Sequence, residues 1–125
     1  MDARMEQGEI WIVGLPFSNE REQSRERPAI VLQDSFYGQK SPLVLIAMLT
    51  SQQSVLRFPA TVSIQPSAAN GLTAPSVAMI FQARALDRVR FKRKVGDLKK
   101  TSLKTVIDEL QRLVGCDPLP QSRDQ

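Results

Sequence analysis

The chain has 125 residues, 42% hydrophobic and 24% charged, with 17 Lys and Arg against 13 Asp and Glu and a pI near 9.6. That length buries one core and excludes two ordinary domains, and the positive excess favours polyanionic partners without naming one. No histidine occurs, which excludes histidine triads, histidine metal sites and paired-histidine acid–base chemistry, so any catalysis falls to carboxylates, hydroxyls, arginine or lysine.

The first residues, Met1-Asp2-Ala3-Arg4-Met5-Glu6, hold no apolar run of signal-peptide length, so a cytoplasmic location is expected. Residues 1–7 are read as an N-terminal extension. Glu9 to Val13 reads as a strand entered through Gly8, with Trp11 and β-branched residues suited to a half-buried pleat. Residues 14–26 are polar and irregular and read as a long loop, a kind that is often functional. Ala29–Gln33 and Leu43–Leu49 are continuous apolar runs of strand length. Phe58–Ile64 alternates with period two, and Val77–Phe81 and Val89–Val95 add two more strands. The longest apolar run, Leu43–Leu49, is far short of the ~20 residues that span a bilayer, so no membrane partner is expected. Asn70-Gly71 marks a turn.

After Gly96 the period changes. Leu103, Val106, Ile107, Leu110, Leu113 and Val114 recur at helical spacing, predicting an amphipathic helix over 101–114 with Thr101 as N-cap and Gly115 as its stop. The tail 116–125 is proline-broken and expected to be mobile. Its Cys116 is the only cysteine; it excludes an internal disulfide and is a poor nucleophile without a histidine. Short antiparallel strands closed by one helix describe a mainly β protein, a small β-barrel or compact α+β domain.

Charge collects where one strand begins and another ends. Glu22-Gln23-Ser24-Arg25-Glu26-Arg27-Pro28 runs into Ala29-Ile30-Val31-Leu32, and Leu49-Thr50-Ser51-Gln52 closes the next strand. If those strands lie side by side, Arg27 and Thr50 face one anionic ligand, and a guanidinium fork with a hydroxyl donor suits a phosphate. The residues alone leave blander readings open. Arg27 also serves as an edge-strand charge, Thr50 as a turn hydroxyl, Glu22 as a solvated loop carboxylate and Trp11 as a core or rim residue. Nine of the 17 basic residues fall between Arg84 and Lys104, against only Asp87 and Asp97 in that stretch. They read as a polyanion-tracking face, a solvated strand face or a lure for an acidic protein tail.

Taken in order, Gly8-Glu9-Ile10-Trp11, Glu22-Gln23, Arg27-Pro28-Ala29-Ile30-Val31-Leu32, Thr50-Ser51-Gln52, Ser76-Val77-Ala78 with Gln82, and Gly96-Asp97-Leu98 before a helix resemble the MazF/PemK toxins of type II toxin–antitoxin systems. The resemblance covers about residues 8–115, the span assigned to the domain. It implies an SH3-like barrel with a C-terminal helix, a homodimer, and a ribosome-independent endoribonuclease that cuts single-stranded RNA such as mRNA and is neutralised by a cognate antitoxin. It also implies that Arg27 and Thr50 are the catalytic pair, with Glu22 a third participant. Gln23, Arg25, Ser51, Gln52, Arg84, Arg90 and Lys92 are the expected RNA contacts. Two positions depart from the family's pattern: Arg25-Glu26 before the arginine, and Phe81 where many members carry an acidic residue.

RNA carries its own nucleophile in the 2′-hydroxyl, so cleavage to a 2′,3′-cyclic phosphate and a 5′-hydroxyl requires neither metal nor other cofactor, and none is expected. Arginine is a poor general base, which leaves proton acceptance to Glu22. The competing expectation is a non-catalytic toxin of the same barrel, like the gyrase-binding CcdB proteins, which has no use for the Arg27–Thr50 pair.

Overall fold

The computed structural model describes residues 5–15, 26–37 and 41–116. Six strands, β1 (Glu9–Gly14), β2 (Glu26–Val31), β3 (Leu43–Thr50), β4 (Thr61–Ile64), β5 (Ser76–Asp87) and β6 (Phe91–Asp97), precede one helix, α1 (Lys100–Leu113). They form a single antiparallel sheet in the order β4-β5-β3-β2-β1-β6. The expectation of a mainly β domain with a C-terminal helix is met.

The apolar runs read from the sequence are the central strands, and both of their faces are covered. Along β2, Ile30 enters one core with Ala47, Leu49, Ile80 and Val106, while Ala29 and Val31 enter a second with Val13, Val44, Ile46 and Met48. Burial on two faces is why β2 and β3 show no polar alternation. Helix α1 closes the first core, seating Val106 with Leu103, Ile107 and Leu110 over β4 and β5. Leu113 and Val114, at the end of the same stripe, stay exposed.

The helix begins one residue earlier than its sequence suggests, and its N-cap lies two residues earlier. Lys99 is the N-cap, without a side-chain cap bond, and Thr101 lies inside the first turn. Gly115 ends it as expected, at φ 90°, with Gly115 N–H donating to Arg112 O and Cys116 N–H to Gln111 O, the paired bonds of a Schellman stop.

The sheet is not closed by strand pairing, yet its two edges meet through a loop. Residues 65–75 leave β4 and cross to β6, where Asp97 N–H donates to Ala69 O at 2.8 Å. Asn70 holds the loop in shape: its side chain accepts from Ser67 and Leu72 N–H and donates to Gln65 O. The Asn70-Gly71 turn thus belongs to a docked loop rather than a tight hairpin. At Gly96 a Cβ would collide with the backbone of Ala69 and Asn70, so the seam needs glycine there. This bridge gives the open sheet its barrel-like form.

Candidate functional site

The strand containing Arg27 starts three residues before the apolar run, because the β1–β2 ladder continues through Val13↔Arg27 and Gly14↔Glu26. Arg27 therefore projects from a sheet rather than from the loop that its neighbours Glu26 and Pro28 suggest. Strands β2 and β3 pair as Ala29↔Met48, Ile30↔Ala47 and Val31↔Ile46. Continuing that register by two residues sets Arg27 opposite Thr50, on the face shared by Ala29 and Met48. The side-by-side condition posed by the sequence is satisfied.

Arg27 and Thr50 line two adjoining depressions, of about 420 and 260 Å³. The larger runs toward β5, past Gln52, Val55, Gln82 and Arg84, over a floor of Met48 and Met79. The smaller runs the other way, past Ser51 to Leu72, Thr73 and Ala74 in the loop before β5. The pair therefore stands at the saddle of one groove open on both sides. Among the described residues that line the two depressions there is no carboxylate, while Arg27 lines both and Arg84 the larger, so the described lining carries positive charge.

The two functional groups are held and uncommitted. The Thr50 hydroxyl oxygen accepts from Gln52 N–H at 3.2 Å, which fixes the rotor while leaving its proton to donate. The following turn is tied to the start of β5, where Gln53 Nε2 donates to Pro75 O at 3.0 Å. Among the described residues the Arg27 guanidinium makes no hydrogen bond or ion pair.

Gln82 and Arg84 reach the groove through an irregularity invisible in the sequence. β3 pairs Met48↔Met79 and then Ile46↔Arg84, so β5 carries three extra residues at this point. An odd insertion reverses which side chains face the groove, placing Gln82 and Arg84 beside Met79. Gln82 stands in the resemblance but was not assigned a site role from sequence.

The other expected contacts divide. Ser51 and Gln52 lie at the groove. The Lys92 stem packs over Gly14, on the edge strand β6 and separated from the strand of Thr50 by β2 and β1, and Arg90 sits in the short turn before it; neither lines the groove. The basic segment is thus not one face: Arg84 enters the groove, Arg88 Nε donates to Ser41 O, Lys94 pairs with Glu9 and Asp97, and Lys104 with Asp108. Trp11 is a rim residue, its Nε1–H donating to Glu9 and its ring edge-on to Phe91. Glu22, Gln23 and Arg25 lie outside the described residues, as does the tail beyond Cys116. No group of three or more His, Cys, Asp or Glu side chains able to hold a metal occurs among the described residues, and no helix there is long and apolar enough to cross a membrane.

Comparison with known proteins points the same way. The chain is 28% identical over 111 residues to the endoribonuclease MazF of Staphylococcus saprophyticus, covering 89% of this chain and 92% of that protein. Its fold is similar to MazF of Deinococcus radiodurans, with a TM-score of 0.72 at 24% identity over 91% of this chain and 99% of that one. It is also similar to a mycobacterial endoribonuclease solved with its cognate antitoxin, with a TM-score of 0.71 at 15% identity over 94% and 98% of the two chains. The family model of the PemK-like, MazF-like toxins matches residues 6–114. The chain belongs to the PemK/MazF family of toxins of type II toxin–antitoxin systems.

Proposed function

We propose that the protein is a sequence-specific endoribonuclease toxin that cleaves single-stranded RNA across the Arg27–Thr50 saddle without a metal, and that a cognate antitoxin silences it. The observation that carries this reading is the placement of an arginine with no partner among the described residues, and of a hydroxyl with its proton to donate, at the midpoint of a positively lined groove open at both ends. A groove open on both sides accepts a chain running through it, which suits an internal cut. The MazF relative is named an endoribonuclease, and a structural neighbour is solved with its antitoxin; both support the assignment of activity and partner. A homodimer, the family's expected state, is part of the same proposal.

In the proposed reaction the Arg27 fork binds the non-bridging oxygens of the scissile phosphate, and Thr50 donates its hydroxyl proton to the same group. The RNA 2′-oxygen passes its proton to a base, attacks phosphorus, and the bond to the 5′-oxygen breaks, that oxygen taking a proton from solvent. Glu22 is the proposed base. The products are a 2′,3′-cyclic phosphate and a 5′-hydroxyl. Holding the three reacting atoms in line is the remaining task, and donors fixed on paired strands perform it better than loop side chains.

The test is incubation of the purified protein with a long single-stranded RNA in excess EDTA, followed by mapping of both new ends. Cleavage leaving 5′-hydroxyl ends is expected. Intact RNA with trapped gyrase–DNA complexes would establish a CcdB-like protein poison instead. Glu22→Gln is expected to shift the acid limb of the pH–rate profile, and an unchanged profile removes Glu22 from the mechanism.

A further inference from the structure

Beside the groove, outside every residue assigned above, two phenylalanines lie in the open. Phe58 is 42% exposed and Phe81 36% exposed. Their ring centroids are 5.6 Å apart at 47°, and the Arg57 guanidinium carbon stands 5.0 Å from the Phe58 centroid. Exposed aromatics gain nothing from burial, so a cluster of two under an arginine asks for an occupant. Arg57 makes no ion pair among the described residues.

The cluster adjoins the groove through its chain neighbours Val55 and Gln82, which line it. Val55, which lines the groove, belongs to the 3₁₀ turn Gln53–Arg57, and Phe58 N–H donates back to Val55 O at 2.9 Å. Phe81 immediately precedes Gln82 in the three-residue insertion of β5 that carries Gln82 into the groove. The backbone between the rings is fixed: Phe81 N–H donates to Ala60 O at 3.2 Å, and Thr61 Oγ1–H donates to Phe58 O at 2.9 Å. Ala60 itself is left-handed, at φ 58°, a conformation that a residue with a Cβ rarely adopts. A strained turn thus holds Phe58 against Phe81 beside the residues that line the groove.

We infer that Phe58, Phe81 and Arg57 form a stacking platform for an unpaired nucleobase of the bound RNA, flanking the scissile phosphate on the Gln82 side of the groove. Aromatic faces bind any base through its π-surface, and a guanidinium lying on a ring adds both a second plane and a charge for the adjoining phosphate. Continuity with the positively lined groove selects RNA as the occupant over a protein surface. The platform fixes which nucleotide enters the Gln82 side, so it acts on target choice and affinity rather than on bond breaking. This inference rests on the ribonuclease reading.

The experiment uses the full chain and a short single-stranded RNA containing its mapped cleavage site, in which each flanking base is replaced in turn by an abasic ribose. For the wild type, one abasic position is expected to lower kcat/KM by about 5- to 150-fold. Phe81→Leu and Phe58→Leu keep apolar volume but remove the stacking face. In both, most of that penalty is expected to vanish because the intact base is no longer rewarded, while Phe81→Trp retains it. An abasic penalty of equal size in wild type and both leucine variants overturns the platform. So does a change of oligomeric mass or a loss of antitoxin binding in the leucine variants with the penalty intact, which assigns the patch to a protein contact. If the wild type cleaves no RNA, the ribonuclease reading fails separately. Binding of a short unstructured single-stranded RNA carrying 2-aminopurine then decides: quenching that disappears in the leucine variants sustains the platform, and no quenching overturns it.

Discussion

Two polar clusters sit on the same sheet and differ in one respect, whether their groups already have partners. At the β1–β6 corner, the buried Glu9 carboxylate accepts from Trp11 Nε1–H at 2.9 Å and pairs with Lys94 Nζ at 3.3 Å, and Lys94 also reaches Asp97 at 3.2 Å. Each charge there is answered within the chain, so nothing is left for a ligand. At the groove, Arg27 has no partner among the described residues and Thr50 keeps its proton. An uncompensated cation in a concave wall costs stability and is retained where a ligand completes it. The contrast separates charge answered within the fold from charge that, in the proposed function, is answered by the RNA phosphate.

The sharpest way to break this comparison is to remove the groove's donors. Arg27→Ala and Thr50→Val are each expected to lower single-turnover RNA cleavage by about 10²–10³-fold, the cost of losing one positioned donor to a charged transition state, with the melting temperature not lowered. Near-wild-type cleavage in either variant would falsify the site. A smaller effect, on stability alone, is expected at the seam. Gly96→Ala forces the loop off β6 and is expected to cost about 1–3 kcal/mol in urea unfolding. Glu9→Ala leaves the Trp11 N–H unpaired and the Lys94 charge half answered, and about 1–3 kcal/mol is again expected. Cleavage by the folded fraction should survive both. Lost cleavage at full stability in Glu9→Ala would move the corner into the site.

How much of this was legible in the sequence depends on how local its cause is. The central strands were, because two-sided burial writes itself as unbroken apolar runs at Ala29–Val31 and Leu43–Leu49. The helix face was too, though its start was not: Lys99 caps it without a side-chain bond, and no propensity signals that choice. The Phe58–Ile64 alternation predicted a strand, but only Thr61–Ile64 pairs, because residues 53–57 wind into a 3₁₀ turn and Ala60 reverses the backbone. β5 was read as ending at Phe81 because the inserted residues break its period, and that break is what delivers Gln82 and Arg84. Arg27 and Thr50 were found through strand-end chemistry and family spacing. Their facing positions follow from a register between segments 23 residues apart, which no local pattern encodes.

The smallest predicted effect tests the satisfied corner against pH. Asp97 first, then Glu9, hold the Lys94 ammonium and raise its pKa above the ordinary 10.5, with desolvation opposing them. A raised lysine pKa stabilises the fold wherever the lysine is protonated in both states. The contribution is therefore fully present below pH 10.5 and is lost as pH rises through the higher folded value. With its side chain 41% exposed, the pair is screened, and Lys94→Met is expected to cost no more than about 1 kcal/mol at neutral pH, less in high salt. The gap between wild type and Lys94→Met should close as pH climbs past 10.5. A gap that persists there would mean that the lysine's stem, packed along the edge, supplies the stabilisation rather than its charge.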